Sequence, residues 1–261
     1  MFWIYNVFGD KDASISYKNC IRIAIYSENT MPDINYADYT IAHQHINYLD
    51  RYFKFPVFFF MNSNKIDKIE KIRKEVLKNP IRNKFCAAVI SNKNSNFRLN
   101  FIEKISRYKK VDMGGKYKNN IGREIKNKIR FLKDYKFSLA MENSGGDGYV
   151  TEKIVDSFLA GNIPIYYGDF LIDEYINPKT YILIRGEMDI DEKIEYIKKI
   201  DNNDYLYREI MKEKPFVNNK VMSSVYSDEY KNFLKNIFRQ DKEKAFRRDK
   251  SFYDYQCRND N

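Results

Sequence analysis

The chain has 261 residues, enough for one or two domains with a sizeable core. Its 46 Lys and Arg against 36 Asp and Glu give a net charge of +10, a surplus that attracts nucleic acid, anionic lipid or a nucleotide diphosphate. Lys, Asn, Ile and Tyr recur along the whole length rather than in one patch, and no aromatic RNA-binding signature is present, so no nucleic-acid partner is expected.

The apolar runs are all too short for a transmembrane helix. The first residues lack the basic region, apolar stretch and small-residue cleavage site of a signal peptide. Cys20, Cys86 and Cys257 are scattered and odd in number, which argues against a disulfide framework or a zinc site. A reducing, cytoplasmic setting follows. His43-Gln44-His45 reads as an exposed pair rather than a metal site.

In chain order, residues 2–8 read as a strand, and 20–26 as a second that ends before the loop Ser27-Glu28-Asn29. Residues 39–42 give a third strand. Residues 57–60, inside the longest apolar run, give a fourth. Helical spacing of Ile66, Ile69, Ile72, Val76 and Leu77 stops at Asn79-Pro80, where a domain junction is expected. Beyond it come a strand at 85–90, a polar loop, a helix at 98–108, a short strand at 109–113, the turn Gly114-Gly115 and a helix at 121–133.

Residues 137–169 carry the most information. An apolar strand at 137–141 leads into a loop with three glycines over 142–148. Thr151 stands as an N-cap with Glu152 in the first turn. Ile154, Val155, Phe158 and Leu159 form one helical face, Gly161 takes the C-cap region, and 163–167 is the next strand. A glycine loop at a helix N-terminus inside a βαβ unit suits a phosphate, and Lys153 adds a positive charge there. A strand at 181–184, a helix at 191–200 and one or two helices over 225–250 follow. Residues 239–250 hold six basic and three acidic residues and read as a solvated face, with a membrane-surface contact as the alternative. Strands alternating with helices predict parallel sheets. The expected domains are 1–80, 81–205 and a C-terminal helical segment, 206–261.

The stretch FSLAMENS, then GYVTEKI, then AGNIPIYYGD resembles the donor-binding signature of the α-1,3-fucosyltransferases, glycosyltransferase family 10 of the bacterial type, which move L-fucose from GDP-fucose. Ile25–Asn29 followed by MPDINYADYTIA, LDRYFKFP at 49–56, SNKNSNFR at 91–98 and GGKYKNNIG at 114–122 resemble further blocks of that family, so the similarity runs from about residue 3 to residue 205. The resemblance implies an α/β, GT-B-like fold of two Rossmann-like domains facing a cleft. The acceptor domain at 1–80 looks shortened, which would expose a strand edge and leaves a homo-oligomer open as an alternative. The implied reaction is inverting transfer of fucose from GDP-β-L-fucose to an N-acetylglucosamine unit of an N-acetyllactosamine-like glycan, in protein glycosylation, lipopolysaccharide or other glycan biosynthesis.

Such a transfer needs charge stabilisation on the departing diphosphate and a base for the acceptor hydroxyl. Arg98 and Lys153 suit the first need. The resemblance makes Glu28 the general base; the alternative is an exposed loop residue. It also gives Glu152 a contact with the donor sugar, where the residues alone allow a simple dipole partner. Asn143 is a donor contact or a loop brace, and Tyr149 lines the nucleotide site or packs the loop. Glu142 is left open between these roles, while Tyr166 and Tyr167 are assigned to the sheet core. No metal is required, and a loosely held Mn or Mg ion is the alternative. Ser27 replaces a family glycine, and His43-Gln44-His45 departs from the family's acceptor-site residues, so acceptor preference is expected to differ. Two other functions compete: a non-catalytic GDP-sugar-binding module, and a transferase using another nucleotide sugar. Cytoplasmic residence, with peripheral contact at the inner membrane face as a variant, fits the composition.

Overall fold

The computed structural model describes residues 1–6, 19–217 and 226–248. Its strands are β1 (Phe2–Asn6), β2 (Ile21–Ile25), β3 (Tyr39–Ala42), β4 (Tyr52–Lys54), β5 (Lys84–Ala88), β6 (Val111–Met113), β7 (Tyr135–Met141), β8 (Ile163–Tyr167) and β9 (Ile182–Leu183). Its α-helices are α1 (Val57–Ile66), α2 (Ile69–Lys78), α3 (Asn96–Ser106), α4 (Lys128–Leu132), α5 (Glu152–Leu159), α6 (Ile190–Asp201), α7 (Asp204–Lys212), α8 (Tyr226–Arg239) and α9 (Lys242–Ala245). By internal packing the chain divides into two compact units, Met1–Pro56 with Ser223–Asn261, and Val57–Met222. This division falls at 56; α8 and α9 belong to the first unit and α7 to the second.

The first unit is built on a parallel sheet in the order β1-β2-β3-β4. β2 and β3 are the central strands, and their β-branched and aromatic residues are buried on both faces, as a covered parallel sheet requires. Tyr230, Phe233, Leu234 and Ile237 repeat at helical spacing on α8 and pack with Ile21, Ile23, Tyr39 and Ile41. The Phe53 and Phe233 rings lie 5.3 Å apart, and Phe55 and Tyr230 5.4 Å. Buried Asp38 ties the end of the described chain to this sheet. Its carboxylate accepts from the Arg22 amide (2.7 Å) and from the Arg247 and Arg248 amides (2.7 and 2.9 Å), and it pairs with the Arg248 guanidinium at 3.3 Å. Arg247 also reaches Asp50 at 2.9 Å. These two arginines are therefore structural, which corrects the reading of 239–250 as a solvated face at positions 247 and 248. His43 is buried too, so the expected exposed histidine pair is not found. Val7, Phe8, Asp249, Lys250 and Cys257 lie outside the described residues.

The second unit holds a fully parallel sheet in the order β6-β5-β7-β8-β9. Numbered within the unit, that order is 2-1-3-4-5, the doubly wound arrangement in which the winding reverses between the first and third strands. Phe137, Ile163 and Ile165 of the sheet pack with Phe101 and Ile105 of α3 and with Ile190, Ile194 and Ile197 of α6. The expected face of α5 is buried, and Gly161 follows it at φ +71°, a left-handed conformation that closes a helix cheaply only with glycine.

The strand β4 and the helix α7 form where no specific element is expected from the sequence, and two expected elements form differently. Residues 57–60 are the start of α1, not a strand. Val57, Phe58 and Phe59 are buried, with the Phe58 amide bonded to the Val150 carbonyl at 2.9 Å. A short apolar run fits either element until its packing partner is known. Only Lys128–Leu132 of the expected 121–133 helix forms. Asn119 instead bonds its amide to the Gly115 and Arg123 carbonyls (3.1 and 2.9 Å), and Gly122 takes φ +71°. These side-chain bonds to the backbone hold a loop in competition with the helix.

An ionic anchor crosses the second unit at Asp201, whose side chain is buried. Lys109, Lys136 and Tyr108 donate to its carboxylate at 2.5, 3.0 and 2.9 Å. Burial alone would raise its pKa, but these donors outweigh burial and hold it below the ordinary value. A depressed carboxylate contributes stability above its unfolded pKa and loses it as pH falls through the folded value, below about pH 4. Asp201→Asn should cost about 2 kcal/mol at pH 7, discounted because Lys109 is half exposed. The deficit should shrink at pH 3, measured as the difference in urea midpoint from the wild type. An equal deficit at both pH values would contradict the ionic account.

Candidate functional site

In a doubly wound sheet, ligands bind beyond the C-terminal ends of the strands where the winding reverses. Here those ends belong to β5 and β7, and the segments that leave them carry most of the polar residues singled out in the sequence.

After β5 the chain runs to Ser95, whose hydroxyl accepts from the Arg98 amide at 3.4 Å and caps α3. That cap turns Arg98 inward, and the residue is only 4% exposed. Its Nη2 donates to the Asn92 carbonyl at 2.6 Å. Its Nη1 donates to Asn143 Oδ1 at 3.0 Å and, more loosely, to the Met141 carbonyl at 3.5 Å. Arg98 thus joins the two segments across the reversal point, and Asn143 braces the loop through it. The buried Nε has no partner among the described residues. A buried donor left unpaired is costly and marks a place where an acceptor from outside would be taken up. Burial lowers the guanidinium pKa, the Glu142 carboxylate opposing it, and arginine stays charged throughout.

After β7, Glu142 is fully buried. Its Oε1 accepts from the Thr151 amide (2.9 Å) and hydroxyl (2.7 Å), and its Oε2 from Lys153 Nζ at 2.5 Å. Burial pushes the Glu142 carboxyl up, while the Lys153 ammonium and the Thr151 donors pull it back. Thr151 occupies the N-cap position of α5 but makes no side-chain cap bond; its hydroxyl serves Glu142 instead. The intervening loop turns at Gly148, where φ is +71°, and buries Tyr149.

Arg98, Asn143, Tyr149, Glu152 and Lys153 all lie in the second unit, and the first two are in direct contact. Lys153 is ion-paired with Glu142 and lies 3.9 Å from Glu152, so its charge is partly compensated. The sequence shows only its positive charge; the pairing partner sits eleven residues away across a loop, with no periodic signal to reveal it. Tyr166 is buried in the core as expected, and Tyr167, half-buried with its ring 4.2 Å from Phe97, packs against that core. Glu28 lies in the first unit, exposed on the loop that follows β2.

A nucleotide-sugar transferase is the class of protein that this sheet order and cation placement suit. The C-terminal model of glycosyltransferase family 10 (fucosyltransferase) matches residues 79–245, and the N-terminal domain model of the α-(1,3)-fucosyltransferase FucT matches residues 1–61. The chain is a member of glycosyltransferase family 10, the fucosyltransferases. It is 29% identical over 240 residues to the α-(1,3)-fucosyltransferase FucT of Helicobacter pylori, covering 80% of this chain and 50% of that one. A putative fucosyltransferase of Acanthamoeba polyphaga mimivirus is 36% identical over 151 residues, covering 52% of this chain and 25% of the relative. The chain thus spans half or less of the length of these curated relatives. Among solved structures, an α1,3-fucosyltransferase with GDP-fucose superposes with a TM-score of 0.79 at 26% identity, covering 90% of this chain and 78% of that one. The same protein class with GDP gives a TM-score of 0.77. The α/β, GT-B-like fold class expected from the sequence is the one found. Among the described residues, no helix is long and apolar enough to cross a membrane.

Proposed function

We propose that this chain is an α-1,3-fucosyltransferase that moves L-fucose from GDP-β-L-fucose to an N-acetylglucosamine hydroxyl of an N-acetyllactosamine-like glycan. The observation that carries this reading is Arg98, a buried guanidinium with an unpaired Nε at the reversal point of the second sheet. Its support outside the chain is the structural likeness to an α1,3-fucosyltransferase holding GDP-fucose.

In the proposed reaction the acceptor hydroxyl oxygen bonds to fucose C1 on the face opposite the diphosphate. The C1–O bond to the β-phosphate breaks, GDP leaves with the bonding electrons, and the configuration at C1 inverts. The hydroxyl proton passes to the Glu28 carboxylate. A carboxylate is a weak base for an alcohol, so proton transfer accompanies departure of GDP. Arg98 and Lys153 offset the charge growing on the diphosphate, Arg98 as a planar fork and Lys153 as a point charge. Asn143 and Tyr149 line the donor site, and Glu152 contacts the donor sugar.

Incubating the purified chain with GDP-fucose and N-acetyllactosamine should give a product heavier by one fucose. Turnover with GDP-mannose or a UDP-sugar but not GDP-fucose would replace the donor. GDP binding without any turnover would make the chain a non-catalytic GDP-sugar-binding module. Arg98→Ala should lower kcat/KM for GDP-fucose about 100-fold. A wild-type value in a folded variant would remove Arg98 from the donor site.

A further inference from the structure

The Glu142 carboxylate is a buried charge beside Lys153 that the reaction above does not use. We propose that Glu142 is a positioning residue, which holds the Lys153 ammonium in place for the donor diphosphate. This rests on reading the site as a diphosphate site.

A carboxylate with no exposure needs both hydrogen bonds and countercharge. Thr151 supplies the first through its amide and hydroxyl, at 2.7 to 2.9 Å, and Lys153 supplies the second. Glu142 cannot easily swing away. Its amide is bonded to the Tyr167 carbonyl at 2.7 Å, and its Cγ packs against Gly168, where an added Cβ would lie 2.9 Å from it and would collide with the Tyr166 hydroxyl.

Lys153 has the opposite character. A lysine ammonium is a strongly hydrated point charge on four flexible carbons, and a helix-start lysine ordinarily extends into water. Here its side chain is only 20% exposed and folds back to Glu142 Oε2, with a second bond of 3.0 Å to the Thr151 hydroxyl. These bonds take two of its three donors and leave one for a phosphate oxygen. An arginine fork would carry its own geometry; a lysine takes its geometry from its neighbours, and the fixed neighbour here is Glu142. Catalysis that relies on preorganised charge is sensitive to such placement.

A double-mutant cycle on the full chain tests this, with kcat/KM for GDP-fucose as the readout. Lys153→Ala should lower it about 100-fold and Glu142→Gln about 30-fold, mainly through KM. The double variant should match Lys153→Ala within about threefold, because Glu142 acts only through Lys153. Glu142→Asp, which keeps the charge but withdraws it by one methylene, should lose about tenfold alone and nothing further in the Lys153→Ala background. Losses that multiply in either double variant would overturn the assignment, since Glu142 would then act independently of Lys153. Failure of both Glu142 variants to fold would also overturn it, by making the carboxylate purely structural. Calorimetry with GDP separates the two levels of inference. A wild-type chain without GDP affinity sinks the donor-site reading itself, whereas normal GDP affinity with multiplicative losses sinks only the role of Glu142.

Discussion

Glu28→Gln should lower the rate of fucose transfer about 1,000-fold while leaving GDP affinity within about twofold of the wild type. The substitution removes one negative charge and the capacity to accept a proton, and changes almost nothing in size. Glu28 is exposed on the loop beyond β2, where C-terminal strand ends present residues to ligands, and its side chain is not part of either packed core. The melting temperature should therefore stay unchanged, and any loss of rate belongs to chemistry. The expected pattern is a fall in kcat with KM for GDP-fucose nearly constant, because Arg98 and Lys153, the proposed donor cations, belong to the second unit and are not substituted. Raising pH should not restore the variant, since glutamine has no titrating group to recover. A Glu28→Gln enzyme turning over at the wild-type rate would move the base role to another residue. A variant that also loses GDP affinity would assign Glu28 to binding instead.

Gly115→Ala should destabilise the second unit by about 4 kcal/mol, a large share of the roughly 5–15 kcal/mol that holds an ordinary domain together. Gly114-Gly115 follows β6, and the Gly114 amide bonds to the Ala88 carbonyl at 2.9 Å. A Cβ on Gly115 would overlap the Ile90 carbonyl and amide, which are backbone atoms and cannot turn aside as a side chain would. Relief would require the end of β5 to move. That end leads into the loop whose Asn92 carbonyl holds Arg98 at 2.6 Å, so partial folding should still leave a damaged site. A fall in the urea midpoint with loss of GDP affinity is expected. A stable variant with normal GDP affinity would show that the two segments can separate without cost.

The segment from β7 to β8 was the most legible part of the fold. An apolar run, a glycine loop, a capping residue, one apolar helical face and a closing glycine all point to the same elements there, and β8 forms over the residues expected. Elsewhere local pattern and tertiary context part company. The Val57–Ile66 segment has enough aromatic residues to suit a strand, and only burial of Val57, Phe58 and Phe59 against the rest of its unit decides for a helix. Asp38 and Arg248 are 210 residues apart, so nothing in their neighbourhoods announces the clamp they form. The candidate site divides in the same way. Arg98 stands out by its residue type and its place in the first turn of a helix. The carboxylate that restrains Lys153 is invisible until the loop folds back, and so is the unpaired Nε of Arg98, which depends on two chain segments, at Asn92 and at Met141–Asn143, closing around the guanidinium.

Titration calorimetry of the folded wild-type chain with GDP tests the donor-site claim most directly. Saturable binding to a single site is expected, weakened at least about 30-fold by Arg98→Ala and reduced by added salt, as charge contacts to a diphosphate require. Heats indistinguishable from dilution, or binding that Arg98→Ala leaves intact, would contradict the account.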